Sequence, residues 1–134
     1  MKAHLLDTNV CIALLNGTSA AVAERFAQQS PATVRVCSVV VAELYFGAQK
    51  STRSLQVLAA LERFLRPLAS APFDDRCAWE YGILRASLEQ AGTPIGANDL
   101  MIGAIARAYD LTLVTRNLRE FSRVVGLRIE DWHE

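Results

Sequence analysis

Ala3-His4-Leu5-Leu6-Asp7-Thr8-Asn9-Val10-Cys11-Ile12-Ala13-Leu14-Leu15-Asn16-Gly17, residues 3–17, decides the fold. The apolar opening is short and stops abruptly at Asp7, the pattern of a buried strand. Asp7, Thr8 and Asn9 are residues whose side-chain oxygens cap helices. The apolar run Val10 to Leu15 then ends at Asn16-Gly17, a helix stop signal. Strand, polar turn and short helix make the first half of a βαβ unit, with a carboxylate at the carboxyl end of its strand.

The same grammar continues outward. Thr18-Ser19 caps a second helix that runs to about Gln29 and is ended by Ser30-Pro31. Val34 to Cys37 alternates as a second strand. Residues 38–48 open with β-branched residues, but Val40, Val41, Leu44, Tyr45 and Ala48 follow helical spacing, with Ser38 as the cap. Val57, Leu58, Leu61, Phe64 and Leu65 mark a helix that stops at Pro67, and Leu68 to Ala71 is a weak strand. Asp74-Asp75 caps a helix striped by Cys77, Tyr81, Leu84, Leu88 and Ala91. Ile95 to Asn98 leads into a helix with Asp99 in its first turn. Leu111 to Thr115 is a strand, Asn117 starts a short helix, and Leu127 to Ile129 is a last strand. Strands alternating with helices predict an α/β fold, one domain over residues 1–134. Its central parallel sheet has about five strands and is flanked by helices on both faces. Sites in such sheets lie outside the carboxyl ends of the strands.

Composition narrows the function classes. At 134 residues with 51% hydrophobic composition, the chain suits one packed core. No apolar run is long enough to span a bilayer, and Asp7 and Asn9 interrupt any signal pattern, so a cytoplasmic protein is expected. Lysine plus arginine and aspartate plus glutamate both total 14, which excludes a generic basic coat for nucleic acid. Cys11, Cys37 and Cys77 are odd in number and widely spaced, which excludes a disulfide framework and a zinc site. His4 and His133 have no partner at ligand spacing. No glycine-rich phosphate loop occurs.

The candidates for chemistry are acids. Asp7 ends the first strand, Glu43 lies one turn into the helix after the second, Asp99 opens a late helix, and Glu120 follows the strand ending at Thr115. If the first and late strands are neighbours, the four carboxylates converge. Like charges gathered in low dielectric then require a compensating cation. Oxygen ligands of this kind suit magnesium or manganese. Each acid also has a reading without chemistry. Asp7 serves as a cap, Glu43 as a solvated helix residue and Asp99 as a first-turn charge favoured by the helix dipole. Asn117 and Glu120 have the spacing of a capping box.

In their order, Leu5 to Asn9, Ser38 to Gly47 around Glu43, Ile95 to Ile102 around Asp99, and Leu113 to Phe121 resemble the PIN domain. Within it they are most similar to the VapC-type toxins of bacterial toxin–antitoxin pairs. Gly126 to Trp132 also resembles that group, so the likeness runs from about Leu5 to Trp132. It implies a magnesium-dependent endoribonuclease, with manganese as a substitute ion and transfer RNA as a candidate substrate. It implies catalytic residues at Asp7, Glu43 and Asp99, with Asp7 and Asp99 as the metal ligands, and Glu120 is the candidate for a fourth catalytic acid. Thr8, Asn9, Thr115 and Asn117 would orient carboxylates and waters. It further implies a homodimer held inactive by a VapB-type antitoxin. Many PIN domains carry an aspartate where this chain has Asn117, which removes one charge from the set. Two alternatives stand beside this reading. A phosphoaspartate receiver or phosphatase-like protein also places an aspartate after its first strand, but Lys2 and Lys50 are the only lysines and neither follows a later strand. A non-catalytic RNA-binding module would bind without cleaving.

Overall fold

The computed structural model describes residues 3–133. Five short strands are β1 (His4–Leu6), β2 (Val34–Cys37), β3 (Ala69–Ala71), β4 (Thr112–Val114) and β5 (Ile129–Glu130). Among the described residues seven helices surround them: α1 (Thr8–Asn16), α2 (Ala20–Ala27), α3 (Ser38–Lys50), α4 (Ser54–Leu65), α5 (Asp75–Gln90), α6 (Ala97–Ala108) and α7 (Leu118–Phe121). A 3-10 turn, Pro31–Thr33, precedes β2.

All strand pairs are parallel, in the order β3-β2-β1-β4-β5. The most N-terminal strand is therefore the middle one, with β4 beside it, the condition under which the acids of the two strands approach each other. Leu5 and Leu6 on β1, and Leu113 and Val114 on β4, are all fully buried. Consecutive strand residues point to opposite faces, so the sheet is covered on both sides. The chain winds outward from β1 through β2 to β3, then crosses back to β4 on the other flank. The loops leaving β1 and β4 diverge at that switch point, the place where ligands bind in sheets of this kind, beyond the carboxyl ends of the strands.

Local chemistry sets the element ends. Asp7 is the N-cap of α1 and Gly17 its C-cap at φ 63°, a left-handed conformation that glycine adopts without penalty. Ser19 and Asp74 cap α2 and α5 through their side chains. Two expectations change. Ser38 does not cap α3: Cys37 occupies the cap position without a side-chain bond, and Ser38 Oγ accepts the Phe73 amide at 3.1 Å. The last strand falls at Ile129–Glu130, two residues later than the sequence implied at its start. Gly126 turns the chain at φ 78°, and the Thr115 amide then pairs with the Glu130 carbonyl at 2.9 Å.

Cys11, Cys37 and Cys77 are buried and free, as small apolar residues of the core. His4 Nε2 meets Glu130 at 3.3 Å, and His133 Nδ1 meets Asp131 at 3.0 Å. Among the described residues no helix is long and apolar enough to cross a membrane.

Candidate active site

Asp7 is both the cap of α1 and the first residue beyond the central strand, and it is buried. Its amide donates to the Val114 carbonyl at 3.0 Å, so the β1–β4 pairing continues as far as Asp7. Both carboxylate oxygens are held: the Thr8 amide donates to Oδ1 at 2.6 Å and the Thr115 hydroxyl to Oδ2 at 2.7 Å. Each oxygen keeps a further lone pair. Burial pushes the Asp7 carboxyl above the ordinary carboxylate range; the bonds from Thr115 and Thr8 oppose this, and the Glu120 charge adds to it.

Glu43 comes from the second turn of α3 and is half-buried. The Thr8 hydroxyl donates to its Oε1 at 3.1 Å, joining the helices that follow β1 and β2. Asp99 lies in the first turn of α6, half-buried, and accepts no hydrogen bond among the described residues. Its carboxyl is pushed up to about 6, by burial first and then by the charges of Asp7, Glu120 and Glu43. Each of the other three acids therefore lies within electrostatic reach of Asp99.

The partners are not all where spacing put them. Glu120 does not form a capping box, and Asn117 makes no side-chain cap to α7. Instead the Gly96 amide donates to Glu120 Oε1 at 2.9 Å, and Asn117 Nδ2 donates to Oε2 at 3.0 Å. These two bonds hold the Glu120 carboxyl below its ordinary range. The Asn117 amide donates to Thr115 Oγ1 at 3.0 Å, so Thr115 links the β4 loop to Asp7. Thr8, Thr115 and Asn117 thus touch or connect carboxylates. Asn9 is exposed and bonds to none of them among the described residues. Gly96, which sequence reasoning passed over, is the additional participant; a glycine at a helix entry carries no signal of what its amide will meet.

The donor set is all oxygen and bears excess negative charge, which fits a hard divalent cation. Among the described residues no group of three or more Asp, Glu, His or Cys side chains stands close enough to hold a metal ion together. That leaves one or two carboxylates for an ion, the share magnesium takes when waters and substrate phosphate complete its sphere.

A parallel sheet, a switch point and an acidic cluster at the ends of the two central strands define the class: an α/β protein with a carboxylate site. The chain belongs to the PIN domain family, whose model matches residues 4–127. Over 98% of its length it is 40% identical to a "tRNA(fMet)-specific endonuclease VapC" from Salmonella typhimurium, covering 99% of that protein. It is 39% identical to "Ribonuclease VapC2" from Haemophilus influenzae, again covering 98% of this chain and 99% of the relative. Among solved structures, DNA-bound VapBC from Salmonella typhimurium matches with a TM-score of 0.92 at 39% identity, covering 98% of this chain and 99% of that one. The resemblance to VapC-type ribonucleases holds along the whole chain, and the phosphoaspartate alternative is set aside.

Proposed function

We propose that this protein is a magnesium-dependent endoribonuclease, the toxin of a toxin–antitoxin pair, and that transfer RNA is its substrate. The observation that carries the reading is the Asp7 carboxylate, buried at the end of the central strand, pinned by Thr115 and within electrostatic reach of Asp99. Asp7 and Asp99 are the residues that would hold the ion, and manganese would substitute for magnesium. When bound, the ion supplies positive charge against the phosphodiester and acidifies a water. Thr115 and the Thr8 amide fix the orientation of the Asp7 carboxylate before substrate arrives. Glu43 has one oxygen engaged by Thr8, and its other oxygen takes the proton of the attacking water. Arg116, just before Asn117, and Arg119, beside Glu120 on α7, are exposed and would receive substrate phosphates.

The partner reading rests on a groove of about 700 Å³ between α1, α3 and α4. Ile12, Leu15, Leu44, Val57 and Leu61 line it, and Glu43 stands among them. An antitoxin segment with an apolar face would fill the groove and bring a basic side chain to the acids. A homodimer is proposed on Trp79 and Ile83, one helical turn apart on α5 and 72% and 47% exposed. A transfer RNA substrate would be met in the cytoplasm, the compartment this reading implies.

The test is purified wild type and Asp7→Asn incubated with transfer RNA, in magnesium and in chelator. Only wild type with magnesium should cut. A wild type that binds RNA without cutting would be the non-catalytic module, and equal cleavage by both proteins would refute the assignment.

A further inference from the structure

Asp99 is the third helical residue after the cap Gly96, the position from which an acidic side chain ordinarily reaches back to the cap residue's amide. It does not do so here. The Gly96 amide is taken at 2.9 Å by Glu120, from a different element 24 residues away in sequence. Both Glu120 oxygens are engaged, the second by Asn117 Nδ2 at 3.0 Å. From Asn117 the bonds continue through the Thr115 hydroxyl to Asp7. One hydrogen-bonded path therefore joins the start of α6 to the end of β1, the two places that carry Asp99 and Asp7.

We propose that Asn117 and Glu120 form a clasp: Glu120 performs the capping bond that Asp99 would otherwise make, leaving the Asp99 carboxylate free for a cation and setting its position relative to Asp7. Glu120 is then a positioning residue, acting by hydrogen bonding through Asp99. The clasp also gives a physical reason for asparagine at 117. Its amide donates to a carboxylate, whereas an aspartate there would face Glu120 with like charge. The inference rests on the metal-site reading above.

The two contributions of Glu120, hydrogen bonding and charge, separate by substitution. Glu120→Gln keeps an oxygen for the Gly96 amide, and its NH2 pairs with Asn117 once the asparagine amide turns over. Glu120→Ala loses both bonds. Asn117→Asp breaks the clasp by repulsion, and adding Glu120→Gln restores a donor facing an acceptor with the net charge unchanged from wild type.

Manganese affinity by calorimetry and the Gly96 amide proton by NMR are measured on the full chain. Glu120→Ala and Asn117→Asp should each weaken manganese binding about 10-fold or more, the usual loss when a bond supporting a ligand is removed. Glu120→Gln and the double variant should stay within about 3-fold of wild type, because the capping bond is retained. The Gly96 amide should lose exchange protection in Glu120→Ala and Asn117→Asp and keep it in the other two. Equal weakening by Glu120→Gln and Glu120→Ala would overturn the clasp in favour of Glu120 acting by charge. An unchanged Gly96 amide in both Glu120→Ala and Asn117→Asp would overturn it whatever the metal does. A wild type that binds no manganese, with the amide responding as expected, would refute the cation reading and the Asp99 part of this proposal, leaving only a structural bond.

Discussion

Replacing Asp99 by Asn should leave the metal-free protein as stable as wild type or more so, while abolishing activity. The Asp99 carboxyl rises from its ordinary 3.8 to about 6 through burial and three neighbouring acids. At about 1.4 kcal/mol per pH unit, that rise bounds the penalty for an ionised Asp99 at roughly 3 kcal/mol. The side chain is partly solvated, and screening reduces this to about 1 kcal/mol. Opposing it, a first-turn carboxylate gains about 0.3–1 kcal/mol from the helix dipole. The net gain on substitution is between about 0 and 1 kcal/mol, at most about 4 °C in melting temperature for a domain of this size.

The assay is a thermal melt of both proteins in chelator and in excess magnesium. A carboxyl whose folded value is raised binds its proton earlier in the native state, so its destabilising effect fades as pH falls. Wild type in chelator should therefore gain stability from pH 7 to pH 5, and Asp99→Asn should gain less. Asp7 is shifted in the same direction and leaves a residual slope in the variant. Magnesium should raise the melting temperature of wild type by mass action, and that of the variant far less. An Asp99→Asn protein destabilised in chelator, with the magnesium shift of wild type, would refute the reasoning and make Asp99 an ordinary helix-start residue.

Thr115→Val should cost about 1–3 kcal/mol in denaturant melts, because it strips a buried carboxylate and the Asn117 amide of their shared partner, and it should lower turnover as well. Cys11 and Cys37 are fully buried with thiols raised by burial, Cys37 to about 11, so a thiol reagent should label them only on unfolding; rapid labelling of the native protein would contradict the packing. Light scattering should give twice the mass of one chain, reverting towards one chain in Trp79→Glu; a wild-type monomer would refute the dimer.

What was legible in the sequence is what local chemistry determines. The stop of β1 at Asp7, the end of α1 at Gly17 and the place of Asp99 in a first turn follow from apolar spacing and cap residues within a few positions. The parallel sheet followed from alternation of strands and helices, but the order that sets β4 beside β1 did not, and it was only a condition for Asp7 and Asp99 to approach. What the sequence did not disclose depends on distant partners. Asn117 and Glu120 stand at capping-box spacing, yet Glu120 bonds Gly96, and nothing near residue 120 announces that approach. Asn9 adjoins Thr8, but one residue along a helix is a rotation of about 100°, which turns Asn9 to solvent while Thr8 meets Glu43. Ser38 was drawn from its cap role by the Phe73 amide, a contact made only when β3 docks beside β2.

The central claim is that Asp7 and Asp99 hold one divalent cation at the carboxyl end of β1. Anomalous diffraction from crystals of this protein grown with manganese tests it most directly. The account predicts a peak within ligand distance of the Asp7 and Asp99 carboxylates, lost in Asp99→Asn, with Glu120 still bonded to the Gly96 amide. Manganese bound elsewhere, or bound beside Asp7 with the Asp99 carboxylate turned back to the start of its own helix, would contradict it.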